Sequence, residues 1–415
     1  MAAIALPLLI AAAADRSSIV SALASAATVP VATVLYLSQS RSAWLAFAVA
    51  LGFWAARAVP RPRSVELALT ALFPALAVAG AAALHLASPS LSGEARDRRC
   101  LLCAAVVVVT AAGAAALRAK RDTAPAAHTA GRSPAVGLGV ASVLGLGAAL
   151  AVIRGGVGDR QEYWRVAWQM FVAHPVAGSG SGTFAGEWLR LRTIAVSAKD
   201  AHSLYLEKLG ESGIVGLSLL VGALAIPLVV GRRRRSSLEV AALAAYGAFL
   251  IHAGFEWDWE LPAVTLVGLA LAGALLATGF DGDAVVTLGA GSRLVGVLAC
   301  LCAVAFVGVS ALGHTYVTSA ERLAAGGDLL AADASARRAA TVLPWASEPL
   351  LVRGDLRLRG GNAGAARTFY ARALKRDDRN WQIWLRLSAA SSGRAAAAAR
   401  RRGFELDPGS AHDFP

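Results

Sequence analysis

A multi-pass, all-α membrane fold with a short helical-repeat tail is what this sequence predicts, and three observations predict it. Of the 415 residues, 56% are hydrophobic and only 16% charged, where soluble domains carry about 25% charged residues. Apolar runs recur along the chain near the roughly 20 residues that cross a bilayer as a helix. The last hundred residues break this pattern and are charged, Arg-rich and Ala-rich, with apolar residues at helical spacing.

About ten candidate spans follow one another. The first, 3–14, is short and ends at Asp15-Arg16. The second and third, 18–38 and 43–59, precede Pro60-Arg61-Pro62-Arg63. A polar loop, 88–99, separates the fourth, 65–87, from the fifth, 100–117. A basic linker opening LRAKR leads to the sixth, 134–153. The seventh, 212–230, stops at Arg232-Arg233-Arg234-Arg235, and the rest cover 237–254, 261–279 and 293–313. Ala and Gly are abundant, as expected where membrane helices approach closely.

The formal net charge of +13 reads first as a topology signal, because Lys and Arg gather in cytoplasmic loops; no nucleic-acid partner is expected. Placing RPR, LRAKR and RRRR inside satisfies alternation. The loops at 88–99, 154–211 and 255–260 then face outward, and so does everything after the tenth span. The basic GEARDRR segment conflicts, partly offset by Glu94 and Asp97. Met1 is followed at once by apolar residues, so no secretory signal is read. An outward start on a short run reads as a chain shortened at its beginning.

Four divisions follow: N-terminal spans 1–153, an outward loop 154–211, C-terminal spans 212–313, and an outward tail 315–415. In the tail Leu350 and Trp384 stand 34 residues apart. Gly354, Gly361, Ala366, Tyr370, Ala373 and Asp378 fall where a tetratricopeptide-like repeat places small and aromatic residues. A second copy opens at Trp384 and Leu387, and a third unit is read around 320–344. An Ala-rich helical hairpin is the plainer reading. Such a tail would offer a concave surface to a partner protein or a glycan.

The loop carries the chemistry. Within 158–216 lie Arg160, Arg165, Arg190, Arg192, Lys199, His174 and His202. Asp200 reads as the N-cap of a helix ending before Gly213, which puts His202 in the first turn. There the helix dipole would disfavour imidazolium, leaving a neutral imidazole that can accept a proton. A helix starting near Asp159 would set Arg160 and Trp164 on one face. Arg can hold a pyrophosphate through paired hydrogen bonds, but Arg165 and Arg192 read rather as headgroup-level anchors. The Gly178–Gly182 run lacks the Lys-Ser or Lys-Thr of a phosphate loop and reads as a tight turn. A second outward cluster, HAGFEWDWELP, sets His252 and Glu256 one helical turn apart, followed by Asp258 and Glu260; it could bind a sugar or cation, or mark the membrane boundary. Cys100 and Cys103 form a lone CxxC and read as packing residues. No HExxH and no nucleophile elbow occurs.

The residues RQEYWRVAWQMFVAHPVAGSGSGTF and DAHSLYLEKLGESGIVGL resemble the signature of the O-antigen ligase and polymerase superfamily. The matching positions are Arg160, Trp164, His174, Pro175, Gly178, Gly180, Phe184, Ala201, His202, Ser203, Glu211 and Gly213. SQSRSAWLAF, with Arg41, is similar to a Ser-Arg motif of that family. HAGFEWDWELP is similar to its His-x-x-x-Asp motif, with Glu256 where Asp is usual. The resemblance spans roughly 18–280.

The resemblance implies an inner-membrane glycosyltransferase of surface polysaccharide assembly. It would move a glycan from undecaprenyl pyrophosphate to an acceptor hydroxyl of a saccharide, lipid core or protein, on the outer face, without metal or other cofactor. It implies His202 as base and Arg160 as a donor-binding Arg, with Arg41, Arg190 or Arg192 adding contacts to the pyrophosphate. The rival expectation is a non-catalytic membrane scaffold or transporter component that recruits partners through the tail.

Overall fold

The computed structural model of the chain describes residues 1–14, 18–57, 64–84, 86, 93–122, 158–233, 236–277 and 289–412. It is all-helical, with no strand among the described residues. The helices form two compact units, Met1–Ser181 with Asp200–Ala284, and Gly182–Lys199 with Val285–Pro415.

The first unit contains α1 (Ala2–Ala13), α2 (Ser18–Leu37), α3 (Arg41–Arg57), α4 (Ser64–Ala83), α5 (Gly93–Asp122) and α6 (Arg160–Ala173). The second unit's α7 (Phe184–Leu191) comes next in the chain. The first unit then resumes with α8 (Leu204–Gly231), α9 (Ser237–Ala253), a 3-10 turn (Asp258–Glu260) and α10 (Pro262–Ala277).

Among the described residues, three helical segments are long and apolar enough to cross a membrane: Ile19–Leu37, Asp97–Leu117 and Leu204–Gly231. The apolar helices Ala2–Ala13, Thr70–Ala83, Ser237–Ala253 and Pro262–Ala277 are shorter. The expected span at 134–153 lies outside the described residues. The polar loop expected at 88–99 is partly helical, since α5 already begins at Gly93.

The core of this unit rests on close helix approach. Ala43, Ala46, Phe47, Ala50, Leu51 and Trp54 of α3 cluster with Val240, Ala241, Ala244 and Ala248 of α9. Small residues let backbones come together and multiply dispersion contacts. Trp54 also donates from its indole Nε1 to the Ser237 carbonyl at 3.0 Å, pinning the end of α3 to the start of α9. On α8 the large apolar residues Leu219, Val221, Ile226 and Val229 are exposed. Apolar exposure on that scale marks a surface covered by something other than water.

α8 is two helices joined at Gly213, which adopts φ 63 and ψ −166. The kink strands backbone groups that the helix would otherwise pair, and buried groups of that kind must find partners elsewhere. The stretch after α6 supplies them. Ser179 and Gly180 N–H donate to the Gly210 and Glu211 carbonyls at 3.1 and 2.9 Å. Ile214 and Val215 N–H donate to the Pro175 and Val176 carbonyls at 2.9 and 3.3 Å. A Cβ on Gly213 would lie 2.2 Å from the Val176 oxygen.

The second unit contains α7, α11 (Ala290–Ala325), α12 (Leu329–Val342), α13 (Glu348–Arg359), α14 (Ala363–Leu374), α15 (Trp381–Ala389) and α16 (Gly393–Leu406). α11 is continuous through the position where the last span was expected to end. From α11 onward each helix packs mainly on the next in sequence. Asp333 of α12 takes Arg353 and Arg357 of α13, each at 3.0 Å. Asp355 accepts from the Tyr370 hydroxyl at 2.7 Å and pairs with Arg386 at 3.1 Å, joining α13, α14 and α15. A Cβ on Gly354 would meet the Tyr370 ring at 2.3 Å, so the glycine makes room for that aromatic.

Candidate active site

The ends of α3, α6, α8 and α9 converge in the first unit. Ser40 caps α3, accepting from the Ala43 N–H at 3.2 Å. Ser42, one residue past Arg41, donates to Glu256 Oε1 at 2.7 Å. The same oxygen receives Arg160 Nη2 at 2.7 Å. Glu256 therefore ties the SQSRS stretch to the start of α6. Trp164, one turn along from Arg160, faces Phe255 with ring centroids 6.2 Å apart. The expected shared face of Arg160 and Trp164 is real, and it meets the connection after α9.

His202 departs from its expected setting. The N-cap of α8 is Ser203, whose side chain accepts from the Leu206 N–H, so His202 stands before the helix. Its φ is 51, in the left-handed region that His, Asn and Asp enter more readily than most residues. Asp200 does not cap the helix. Its carboxylate accepts from the His202 backbone N–H at 2.9 Å, and its Oδ1 lies 2.7 Å from His202 Nδ1.

The helix-dipole expectation of a depressed imidazole pKa is reversed. Contact with the Asp200 carboxylate raises the His202 pKa against the opposing effects of burial and Arg160. Burial alone would raise Asp200, but its bonds to His202 hold it below the ordinary carboxylate value. The His202 ring rests against Tyr163, centroids 4.9 Å apart. Burial, reinforced by Asp159 and Asp200, pushes the Tyr163 phenol up. Tyr163 lies one turn from Arg160 on α6, so one helix supports both residues.

The loop bearing His202 is fixed from below. Glu207 reaches back to the Ala201 N–H at 3.1 Å. Lys208 bridges Glu207 and Glu211 at 3.0 and 2.7 Å, and its ammonium sits 5.4 Å over the Trp259 ring. Burial and the Asp200 charge push Glu260 up.

His252 is buried and its Nε2 lies 3.1 Å from Asp258 Oδ2. His252 and Glu256 do stand one turn apart, the Glu256 N–H donating to the His252 carbonyl at 3.0 Å, but their side chains take different partners. Burial opposes the Asp258 charge, yet His252 holds the pKa down.

Arg41 is the exposed first residue of α3, beside the serines that touch Glu256. Arg165 is clamped along α6 by Glu162, with Nε–Oε2 at 2.7 Å, and donates to Gln169 at 2.8 Å. Arg190 and Arg192 belong to the second unit. Arg190 pairs with Glu187 of α7 at 3.4 Å. Arg192 pairs with Asp407 at 2.9 Å and donates to the Val196 carbonyl at 3.2 Å. The Gly178–Gly182 run is a turn whose Ser179 and Gly180 amides are consumed by α8.

Sequence reasoning missed Asp200 as the partner of His202 and Tyr163 as its support. The Asp-Ala-His spacing was the available signal, since Asp side chains commonly bond the backbone two residues on. Ser42 and Asp258 were visible but unassigned.

Buried polar atoms without a hydrogen-bond partner gather here among the described residues: Arg160 Nε, Trp164 Nε1, His202 Nδ1, His252 Nδ1, Asp258 Oδ1 and Trp259 Nε1; the 2.7 Å approach of His202 Nδ1 to Asp200 is thus an ion-pair contact and not an aligned hydrogen bond. Such atoms are unusual in a folded interior and fit a site that takes a polar ligand. Among the described residues no group of three or more His, Cys, Asp and Glu side chains forms a metal-binding cluster. The arrangement offers an Asp-supported imidazole beside a carboxylate-held guanidinium. That is the equipment for taking a proton near a stabilised anion.

A family model described as O-antigen ligase matches residues 26–221. The matched segment carries Arg41, Arg160, His174, His202 and Gly213, and it ends within α8. No curated protein and no solved structure matches the chain. The match supports the O-antigen ligase family for this part of the chain, and with the apolar helices it supports a membrane-embedded protein.

Proposed function

We propose that the chain is a membrane glycosyltransferase that moves a glycan from an undecaprenyl-pyrophosphate carrier to an acceptor hydroxyl in surface polysaccharide assembly. The observation that carries this reading is the pairing of an Asp200-supported His202 with an Arg160 held by Glu256, inside the segment matching the O-antigen ligase model.

In this reading His202 Nε2 accepts the acceptor hydroxyl proton as the oxygen attacks the anomeric carbon. The bond to pyrophosphate breaks in the same displacement, which inverts the anomeric centre. Asp200 stabilises the imidazolium that forms, as a carboxylate does beside a catalytic imidazole. Arg160 meets the charge developing on the departing pyrophosphate through the donors that Glu256 leaves open; a guanidinium has five. Arg41 stands near enough to Ser42 to add charge, and His252 with Asp258 shapes the acceptor side. The reaction faces the outside of the inner membrane, with Arg57 and Arg232 on the cytoplasmic side, where basic residues collect. The sequentially packed helices of the second unit act as a tetratricopeptide-like array for a partner protein or a glycan.

The test is reconstitution of the full chain in proteoliposomes with an undecaprenyl-pyrophosphate oligosaccharide and saccharide, lipid-core and peptide acceptors. Transfer to one acceptor class, abolished in His202→Asn with the protein still inserted, is the expected result. Undiminished transfer by that variant would remove His202 as the base, and no transfer by the unmodified protein to any acceptor would favour a scaffold.

A further inference from the structure

Between α3, α8 and α9 lies a groove of about 310 Å³ that runs from Arg57 and Arg232 at the ends of α3 and α8 along α9 to Ile251. That size falls in the range of about 300–1,000 Å³ typical of small-molecule sites. Its walls are apolar, built from Ala50 and Phe53 of α3, Leu228 of α8, and Leu243, Gly247 and Ile251 of α9. Its polar lining comes from two cations, Arg57 and Arg232. Arg57 ends α3, lies over the Phe53 ring at 5.5 Å, and donates through Nη2 to the Arg232 carbonyl. Its Nε is buried without a partner.

We propose that this groove holds one acyl chain of an anionic bilayer phospholipid, with the lipid phosphate on Arg57 and Arg232. Two features favour that occupant. An apolar trough closed at one end by two guanidinium groups matches a chain capped by an anion, and it offers a neutral lipid no equal partner. The Arg57 guanidinium also keeps donors beyond the one given to the Arg232 carbonyl, and these can donate to a phosphate oxygen. Basic pockets between membrane helices recognise anionic headgroups in this way.

The cationic end of the groove is distinct from the Arg160–Glu256 cluster. Ser42 and Arg57 are near opposite ends of α3, which at 1.5 Å per residue separates them by roughly 22 Å. The proposal rests on membrane embedding alone and stands whether or not the chain transfers glycans.

The full chain in detergent is titrated with phosphatidylglycerol, with phosphatidylcholine of the same chains, and with inorganic phosphate, and bound lipid is counted by native mass spectrometry. Preferential retention of phosphatidylglycerol is expected. Arg57→Gln should weaken it about fivefold, the effect of one basic residue at an anionic membrane surface. Gly247→Phe supplies the second arm. A Cβ on Gly247 meets nothing within 4 Å, so the ring fills the groove, both Arg stay in place, and lipid retention is lost. Equal retention of the two lipids, binding of phosphate alone as strong as that of the lipid, or full retention by Gly247→Phe overturns the proposal.

Discussion

Arg160 and Glu256, 96 positions apart, meet at 2.7 Å, and the carboxylate oxygen that receives the guanidinium also receives the Ser42 hydroxyl. One acidic side chain thus sets the position of a cation that opens α6 and of the polar start of α3.

Arg160→Lys keeps the charge but loses the planar fork. If Arg160 stabilises the leaving pyrophosphate, transfer falls by about 10²-fold, the usual cost of losing one well-placed donor. Glu256→Gln keeps a hydrogen-bond acceptor and should cost less, about tenfold, because it loosens Arg160 without removing it. Initial rates with the reconstituted protein decide the order. Glu256→Gln proving worse than Arg160→Lys would make Glu256 the group that touches substrate.

Loss of the His202 base should slow transfer by about 10²–10⁴-fold. His202→Asn is the cleaner variant, since Asn also enters the left-handed region that φ 51 requires.

The pH profile follows from the raised His202 pKa. Below that raised value the imidazole already carries a proton and cannot accept another, so kcat/KM falls on the acid side. The midpoint of that fall should lie above the unperturbed imidazole value of about 6.5. In Asp200→Asn it should move to lower pH while the plateau drops. An acid limb that stays in place in Asp200→Asn would remove Asp200 from the mechanism. The same contact sets a stability window. His202 contributes stability that is full below the ordinary imidazole pKa and lost as pH rises through the raised one. Asp200 contributes stability present above the ordinary carboxylate pKa and lost as pH falls through the lowered one. The pair is therefore most stabilising between about pH 4 and 6.5.

Gly213→Ala tests the kink. The added methyl would meet the Val176 oxygen at 2.2 Å and would sit at φ 63. A loss of more than about 1 kcal/mol is expected, read as a lower melting temperature of the detergent-solubilised protein. An unchanged transition would mean that the 174–180 turn separates easily from α8.

What was legible in the sequence was what depends on local pattern. Helices α1 to α5 and α8 to α10 sit on apolar runs, and the glycines of 178–182 read as a turn because no phosphate-loop Lys follows. What depends on contacts between distant segments was not legible. The spacing of His252 and Glu256 gave the one turn that joins them, but not that His252 takes Asp258 and Glu256 takes Arg160 from 96 positions away. With Ser203 as the cap, the Asp200 carboxylate is left to contact His202, and that contact reversed the predicted direction of the His202 pKa.

Arg192 separates a structural role from a binding one. The resemblance makes it a candidate contact for pyrophosphate, yet its guanidinium pairs with Asp407, which is 3% exposed. Asp407 is itself organised, accepting from the Gly409 N–H at 3.2 Å, while its carbonyl accepts from the Ser410 hydroxyl at 2.7 Å. A Cβ on Gly409 would lie 2.5 Å from Arg192 Nη2, so the turn fits closely around the cation. Removing one partner of such a pair leaves a buried charge uncompensated, at a cost of about 3 kcal/mol. Arg192→Gln should therefore lower the melting temperature, and Asp407→Asn on the same background should recover part of the loss by removing the stranded charge. Transfer per folded molecule should stay within about threefold of the unmodified protein, because a donor contact would cost about 10²-fold. The opposite pattern, full stability with transfer down by that larger factor, would return Arg192 to the pyrophosphate.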